Sequence, residues 1–392
     1  MIADEAADSA GEERRRLGIA VVMASAVTVG LTIGMTIPLI SLSMTAAGAG
    51  ATLVGGNGAM PALAVLLTAP LAPRLIRILG MVATTVLGCT VSALALALFP
   101  FFDSLTAWFV LRLAMGFGLA LQWVVSETWL NRVASSAGRG RAVALYATMW
   151  SGGLAAGPLV LQVTGIEGVR PFAAAAGLIL LAALPPLLGR RGAPAGATGS
   201  ALTGGGGWSL ALFSRAPTVI LALFSAGFVE ISLFTLLPLY GQTAGLDRSS
   251  AVLMVSVLAA GGLVWQLPLG WLADKAGPRP VLAAAALISV LAAVALDLTA
   301  SGAWLLWPVL FLWGGAMSGF YTLGLTQIGH LFGPADMAHA NALVIMAYTV
   351  GTIAGPAVSG AALDLWPVHG LPLVAGLVYC LYLAAGCREA LK

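Results

Sequence analysis

Twelve apolar stretches, each of the roughly 20 residues needed to cross a bilayer's hydrocarbon, run through this sequence from end to end. They begin near Leu17, Ala51, Met81, Leu105, Arg141, Val169, Pro217, Ser250, Val281, Ala303, Ala338 and Gly370. Hydrocarbon offers no partner to a stray backbone N–H or C=O, so each stretch is expected to be a helix. The chain therefore reads as an all-α membrane protein. Its composition agrees: 60% of residues are hydrophobic and 8% charged, and the mean hydropathy is +0.99, outside the range of soluble domains.

Basic residues in the short loops set the expected orientation. Even-numbered connections and both ends hold Arg14, Arg15, Arg16, Arg74, Arg77, Arg132, Arg139, Arg141, Arg190, Arg191, Arg215, Lys275, Arg279, Arg388 and Lys392. Odd-numbered connections hold Arg170 and Arg248, and Arg112 lies inside a span. Both termini are thus expected in the cytoplasm, with the chain in a bacterial inner membrane. The net charge of +3 follows from this asymmetry and gives no support for nucleic-acid binding. The apolar run after Arg16 extends to Met44, too long for a cleaved signal, and is expected to stay as the first span. Cys89, Cys380 and Cys387 fall in predicted spans and suggest neither a disulfide framework nor a metal site.

Between Arg190 and Pro217 the apolar pattern gives way to "RRGAPAGATGSALTGGGGWSLALFSRAP", whose Gly, Ala, Ser and Pro content reads as a flexible tether. Its patch from Trp208 to Ser214 suits the membrane interface. The expected organisation is an N-terminal six-helix half (1–189), a cytoplasmic linker (190–216) and a C-terminal six-helix half (217–392). The halves resemble each other. "RAVALYATMWSGGLAAGP" (141–158) and "HANALVIMAYTVGTIAGP" (339–356) align without a gap, and "PRLIRILGMV" (73–82) occupies the loop after span 2 as "GWLADKAGPR" (270–279) occupies the loop after span 8, with Gly80 matching Gly277. Two halves in one orientation imply parallel repeats about an axis normal to the membrane, a transporter architecture.

The pattern G-x-L-A-D-K-x-G-x-R at Gly270, Leu272, Ala273, Asp274, Lys275, Gly277 and Arg279 resembles the signature loop of the major facilitator superfamily. "RLAMGFG", with Arg112, Gly116 and Gly118, is similar to that family's intramembrane arginine motif, and Gly153, Gly157 and Pro158 resemble its antiporter motif without the usual downstream glycine pair. The stretch "WVVSETWLNRVASSAGRGRAVALYATMWSGG" is similar to the YcaD-like branch. The resemblance spans the whole chain. It implies twelve transmembrane helices in two pseudo-symmetric six-helix halves that transport by alternating access.

By that resemblance, Asp274 caps a neighbouring helix at the cytoplasmic face while Lys275 and Arg279 bind acidic groups when that side closes. A carboxylate at a helix N-terminus gains about 0.3–1 kcal/mol from the macrodipole. A solvated loop obeying the positive-inside rule is the alternative. The first-half copy has Pro73 in place of glycine and Arg77 in place of the acid, so the same cap cannot form there. Glu127, near the cytoplasmic end of span 4, is expected to pair with Arg74 or Arg77, as a structural or a proton-coupled bridge.

Two ionisable residues lie deeper, Arg112 in span 4 and Glu230 in span 7. A charge near the bilayer centre costs at least about 2.5 kcal/mol, so each should face protein or a wet cavity. Glu230 reads as a proton-coupling group or a contact for a cationic substrate, with a structural hydrogen bond as the alternative. Arg112 reads equally as a helix-positioning or a transport residue. By resemblance, spans 1, 4, 7 and 10 line the cavity. Candidates there are Thr28, Thr32 and Thr36 at i, i+4, i+8, then Trp123 on the face of Arg112 and Gly116, and Tyr321 and Gln327 on span 10. A threonine stripe serves equally as interhelical glue. Gly157-Pro158 and Gly355-Pro356 are expected as packed kinks with a gating role added.

The reading is a secondary transporter of a small organic solute, coupled to protons and directed toward efflux; a proton-coupled nutrient importer is the alternative. Its expected partners are solute, protons and membrane lipid, and the expected state is a monomer. No cofactor is expected. An enzyme would need a reactive cluster, whereas His330, His339 and His369 are far apart in sequence and lack metal-ligand spacing. An ATP-driven pump is disfavoured because no G-x-x-x-x-G-K-[ST] occurs. A channel or scaffold leaves the duplicated loop unexplained.

Overall fold

The computed structural model describes residues 2–134, 139–194, 217–299, 304–331 and 337–390. Most of the expected linker, 195–216, lies outside these residues. Among the described residues every regular element is helical, and twelve helices are long and apolar enough to cross a membrane. They are span 1 (Glu12–Ala46), span 2 (Ala51–Thr68), span 3 (Met81–Phe101), span 4 (Leu105–Val133), span 5 (Arg141–Thr164) and span 6 (Val169–Leu188). Span 7 (Pro217–Thr243), span 8 (Arg248–Ala276), span 9 (Pro278–Leu298), span 10 (Leu306–Ile328), span 11 (Leu343–Leu365) and span 12 (Gly370–Glu389) follow. The hydropathy pattern thus located all twelve.

The chain forms two compact units, one of Met1–Thr36 with Leu63–Thr203, the other of Ile37–Ala62 with Gly204–Lys392. The hairpin Ile37–Ala62 therefore groups with the later spans. Prolines mark both of its limits. Pro38 lies inside span 1, and span 2 is interrupted between Gly58 and Met60, directly before Pro61.

In the first unit, span 5 packs on span 1 backbone to backbone. A Cβ on Gly30 would strike the Trp150 carbonyl, one on Gly34 the Leu154 carbonyl, and one on Gly157 the Leu31 carbonyl and Met35 N–H. Only glycine permits that approach. Spans 3 and 4 repeat the device through Gly88 and Gly118, and Ser92 Oγ donates to the Met115 carbonyl at 3.0 Å.

The second unit uses equivalent glycines. Gly351 and Gly355, aligned with Gly153 and Gly157, meet the carbonyls of Phe224 and Phe228 on span 7, while Gly227 meets the Tyr348 carbonyl. Span 10 approaches span 8 through Gly261 against Phe311 and Gly314 against Leu258. Helices 139–164 and 337–365 both continue through their prolines, Pro158 and Pro356. The Gly-Pro pairs thus stand where adjacent helices touch, and packing accounts for their glycines.

The duplicated loop also repeats in backbone geometry. Gly80 and Gly277 end their helices with φ of 81° and 85°, and their N–H groups donate to Ile76 and Ala273 four residues back. Glycine tolerates this left-handed region and other residues rarely do. Before Gly80, helix Ala72–Leu79 buries Ala72 and Ile76 on one face and leaves Arg74 and Arg77 exposed on the other.

Candidate functional site

The second unit builds its candidate site on three helices. Glu230 lies near the middle of span 7, half-buried, three residues beyond Gly227. Because Gly227 touches the Tyr348 carbonyl, the same helix face carries Glu230 to the Tyr348 side chain. Tyr348 Oη donates to Glu230 Oε2 at 3.0 Å. The Tyr348 ring meets the Tyr321 ring of span 10 edge to face, with centroids 5.1 Å apart. Tyr321 is exposed, so an intramembrane carboxylate, a phenol donor and an accessible aromatic face occur together.

Such a group can exchange a proton, since the carboxylate retains one charge-assisted hydrogen bond that strengthens or weakens with its ionisation. It can also meet an organic cation, whose charge the carboxylate and the ring faces both favour. Gln327, one turn and a half from Tyr321, is buried. Nearby on spans 7 and 11, Ser359 Oγ donates to Ser232 Oγ at 3.1 Å and Ser232 Oγ to the Phe228 carbonyl at 2.6 Å, closing the interhelical seam.

Tyr348 was absent from the sequence candidates, although a signal for it existed. It precedes Gly351 by three residues and Gly355 by seven, so it shares the glycine face that packs on span 7. In the aligned repeat it stands opposite Trp150, whose carbonyl meets Gly30 as the Tyr348 carbonyl meets Gly227.

In the first unit, Arg112 is buried in span 4. Its Nη1 lies 4.0 Å from Met115 Sδ, and its Nε has no hydrogen-bond partner among the described residues. Trp123 does not share that burial. It is exposed, and its indole N–H donates to Glu127 Oε1 at 2.9 Å. The expected pairing of Glu127 with Arg74 or Arg77 is not made among the described residues; a helix neighbour at i−4 satisfies the carboxylate instead.

The threonine stripe also turns inward to its own helix. Thr28 donates to the Ala24 and Ser25 carbonyls at 3.1 and 3.0 Å, Thr32 to Thr28 at 2.8 Å and Thr36 to Ile33 at 3.3 Å. Thr32 and Thr36 are fully buried. Their donors are used, which favours the packing role over substrate contact.

The signature motif lies in the last turns of span 8, which stays helical to Ala276, and not in a loop: Gly270 is open on its Cβ side and Asp274 is exposed, with no helix cap or ion pair among the described residues. Lys275 Nζ stands 3.9 Å from the Trp271 ring centroid. Arg279 Nη2 donates to Glu389 Oε1 at 3.0 Å, and Thr218 Oγ1 donates to Glu389 Oε2 at 2.6 Å, so the motif is tied to spans 7 and 12. The acidic partner expected for Arg279 is Glu389. Among the described residues no cluster of His, Cys, Asp or Glu could hold a metal.

The family model described as Major Facilitator Superfamily matches residues 22–356 and again 253–388. The chain is 27% identical over 335 residues to YfkF of Bacillus subtilis strain 168, an uncharacterized MFS-type transporter, covering 84% of this chain and 85% of that one. It is also 27% identical over 286 residues to the MFS-type transporter YcaD of Escherichia coli, covering 72% of each. Among solved structures, the nucleoside transporter NupG superposes with a TM-score of 0.74 at 14% identity, covering 96% of this chain and 98% of that one. A bacterial homolog of the human lysosomal transporter Spinster gives 0.71 at 17%, covering 96% and 93%. These two share the fold. The family match covers most of the chain, its YcaD-like relatives carry the same description, and the twelve spans complete the agreement: the chain belongs to the Major Facilitator Superfamily of transporters.

Proposed function

We propose that this transporter works by alternating access in the bacterial inner membrane, with both termini cytoplasmic and 190–216 as the linker between six-helix halves. It exchanges a small organic cation with an aromatic-compatible body for protons. What supports this reading is that the Tyr348 hydroxyl bonded to the mid-span carboxyl of span 7 also packs its ring on the exposed Tyr321 ring, so the carboxyl lies beside an accessible aromatic face. One carboxyl can be neutralised by a proton or by a cation, and not by both at once. Mutual exclusion at Glu230 therefore produces antiport, which in a membrane with an inward proton gradient is efflux. The Gly-Pro pairs carry no direction, since their glycines serve packing.

The experiment is proton release from purified protein in detergent. Ethidium and tetraphenylphosphonium are added to weakly buffered protein, and the pH change is read with a soluble indicator. Release of protons by wild type and its absence in Glu230→Gln supports the exchange. Binding of both probes without proton release by wild type rejects Glu230 as the exchanging group. A proton-coupled importer predicts the opposite sign, with a solute that takes up a proton on binding.

A further inference from the structure

The first-half copy of the signature motif differs from the second in the sign of its charge: Arg77 stands where Asp274 stands. The helix that carries Arg77, Ala72–Leu79, ends on a groove of about 520 Å³. Its walls are Leu79, then Val82, Ala83 and Val86 of span 3, Leu187 of span 6 and Pro194 beyond it. Every side chain lining it is apolar. The volume lies within the range of small-molecule sites, about 300–1,000 Å³.

Charge surrounds this trough and has no partner in the protein. Arg190 and Arg191 belong to the turn Arg190–Gly192, which joins the Leu187 wall to the Pro194 wall. The turn is seated on span 1: a Cβ at Gly192 would stand 2.9 Å from the Gly18 nitrogen, and Ala193 packs on the cluster of Val21, Ile76 and Met81. With the backbone held there, both arginines are exposed, as is Arg77 two residues before Leu79. None of the three makes an ion pair or side-chain hydrogen bond among the described residues, whereas Arg15 and Arg16 share Glu12. The remaining wall is the first turn of span 3, whose N-cap Gly80 has no side chain for the orphan N–H groups, so its partial charge is also positive.

We propose that the groove holds one acyl chain of an anionic glycerophospholipid, with the phosphate at the rim between Arg77, Arg190 and Arg191. The apolar trough answers the chain and the unpaired cations answer the headgroup. A free phosphate uses only the rim, and a zwitterionic lipid brings an ammonium to a lining without an acid. Ile78 and Leu188, next to the walls in sequence, are exposed and extend the apolar border toward hydrocarbon. Asp274, at the equivalent position of the second half, would repel the same headgroup. The site is independent of the transported solute and of its coupling.

The test titrates lipid-stripped, full-length protein in neutral detergent with phosphatidylglycerol and phosphatidylcholine of the same acyl chains, read by native mass spectrometry. Wild type should bind phosphatidylglycerol about tenfold or more the tighter. Changing Arg77, Arg190 and Arg191 together to Gln should abolish that preference, at about fivefold lost per arginine, while the triple Lys variant retains it. Ala83→Phe, at an exposed position of the wall, should fill the trough and weaken both lipids. Equal binding of the two lipids by wild type, a preference that survives the Gln substitutions, or lipid binding unaltered by Ala83→Phe would each overturn the proposal. Displacement of phosphatidylglycerol by an equal concentration of inorganic phosphate overturns it too, and makes the rim a site for a free anion. Should the triple Gln variant not insert, Arg190→Gln with Arg191→Gln serves, an unchanged preference again overturning the proposal.

Discussion

Tyr348 reaches Glu230 with its hydroxyl, at 3.0 Å, from the same position whose backbone carbonyl rests on Gly227 one turn earlier. One residue thus fixes both the approach of spans 7 and 11 and the surroundings of the carboxylate. A shift of either helix along the other would change the packing seam and the polar site together.

Tyr348→Phe separates these two roles, because it keeps the ring and the backbone contact and removes the donor. Hydrogen bonds to charged groups contribute about 1.5–3 kcal/mol. A fall in thermal stability of that order when Glu230 is ionised is expected, and a much smaller fall in the Glu230→Gln background. Equal losses in both backgrounds would mean that the hydroxyl stabilises the fold without acting on Glu230.

The packing role of the glycine seams predicts a strong asymmetry within each Gly-Pro pair. Gly157→Val and Gly355→Val force side chains against immobile backbone and should cost about 3 kcal/mol or more, seen as lost monodisperse protein. Pro158→Ala and Pro356→Ala remove no such contact and should be purified at near wild-type yield. Comparable yields of all four variants would show that the glycines are not packing residues.

The signature motif is accessible to a quiet substitution. Asp274→Asn removes charge from an exposed residue without a partner among the described residues, so thermal stability in detergent should stay within about 0.5 kcal/mol of wild type. Its effect should appear instead as slower exchange of a reconstituted probe cation. Wild-type exchange rates would leave Asp274 an ordinary exposed residue of the last turn of span 8.

Arg279→Ala breaks an ion pair whose arginine is largely exposed, with 63% of its side chain open. Exposed pairs are worth about 0–1 kcal/mol, so the stability loss should be no greater than that. Adding Glu389→Ala should cost more, because the Thr218 hydroxyl loses its acceptor as well. A double-mutant cycle read by thermal unfolding measures the coupling.

Cysteines placed across 190–216 should react with an impermeant reagent in inside-out vesicles alone. Reaction from the opposite side would invert the orientation that the loop arginines imply.

Spans, class and repeat were legible in the sequence because the bilayer imposes a length and a hydropathy that act residue by residue, without reference to neighbours. The glycine equivalences were legible for a similar reason: Gly80 and Gly277 answer a local backbone requirement at φ near 80°. Glu230 and Arg112 stood out because charge in hydrocarbon is costly wherever it occurs. Partners were another matter. Arg279 lies beside Glu389, Glu230 beside Tyr348 and Asp364 beside Ala51 and Thr52 because of how helices cross; Glu127 lies beside Trp123 one turn away on its own helix, a choice made where no crossing helix offers it a partner among the described residues. Likewise Pro38 and Pro61 were unremarkable in sequence, and only the grouping of Ile37–Ala62 with the later spans marked them as the limits of one segment. Hydropathy is a property of single residues and survives in the sequence; register between helices is a property of pairs, set by close contacts between residues up to hundreds of positions apart, and it exists only once the chain has packed.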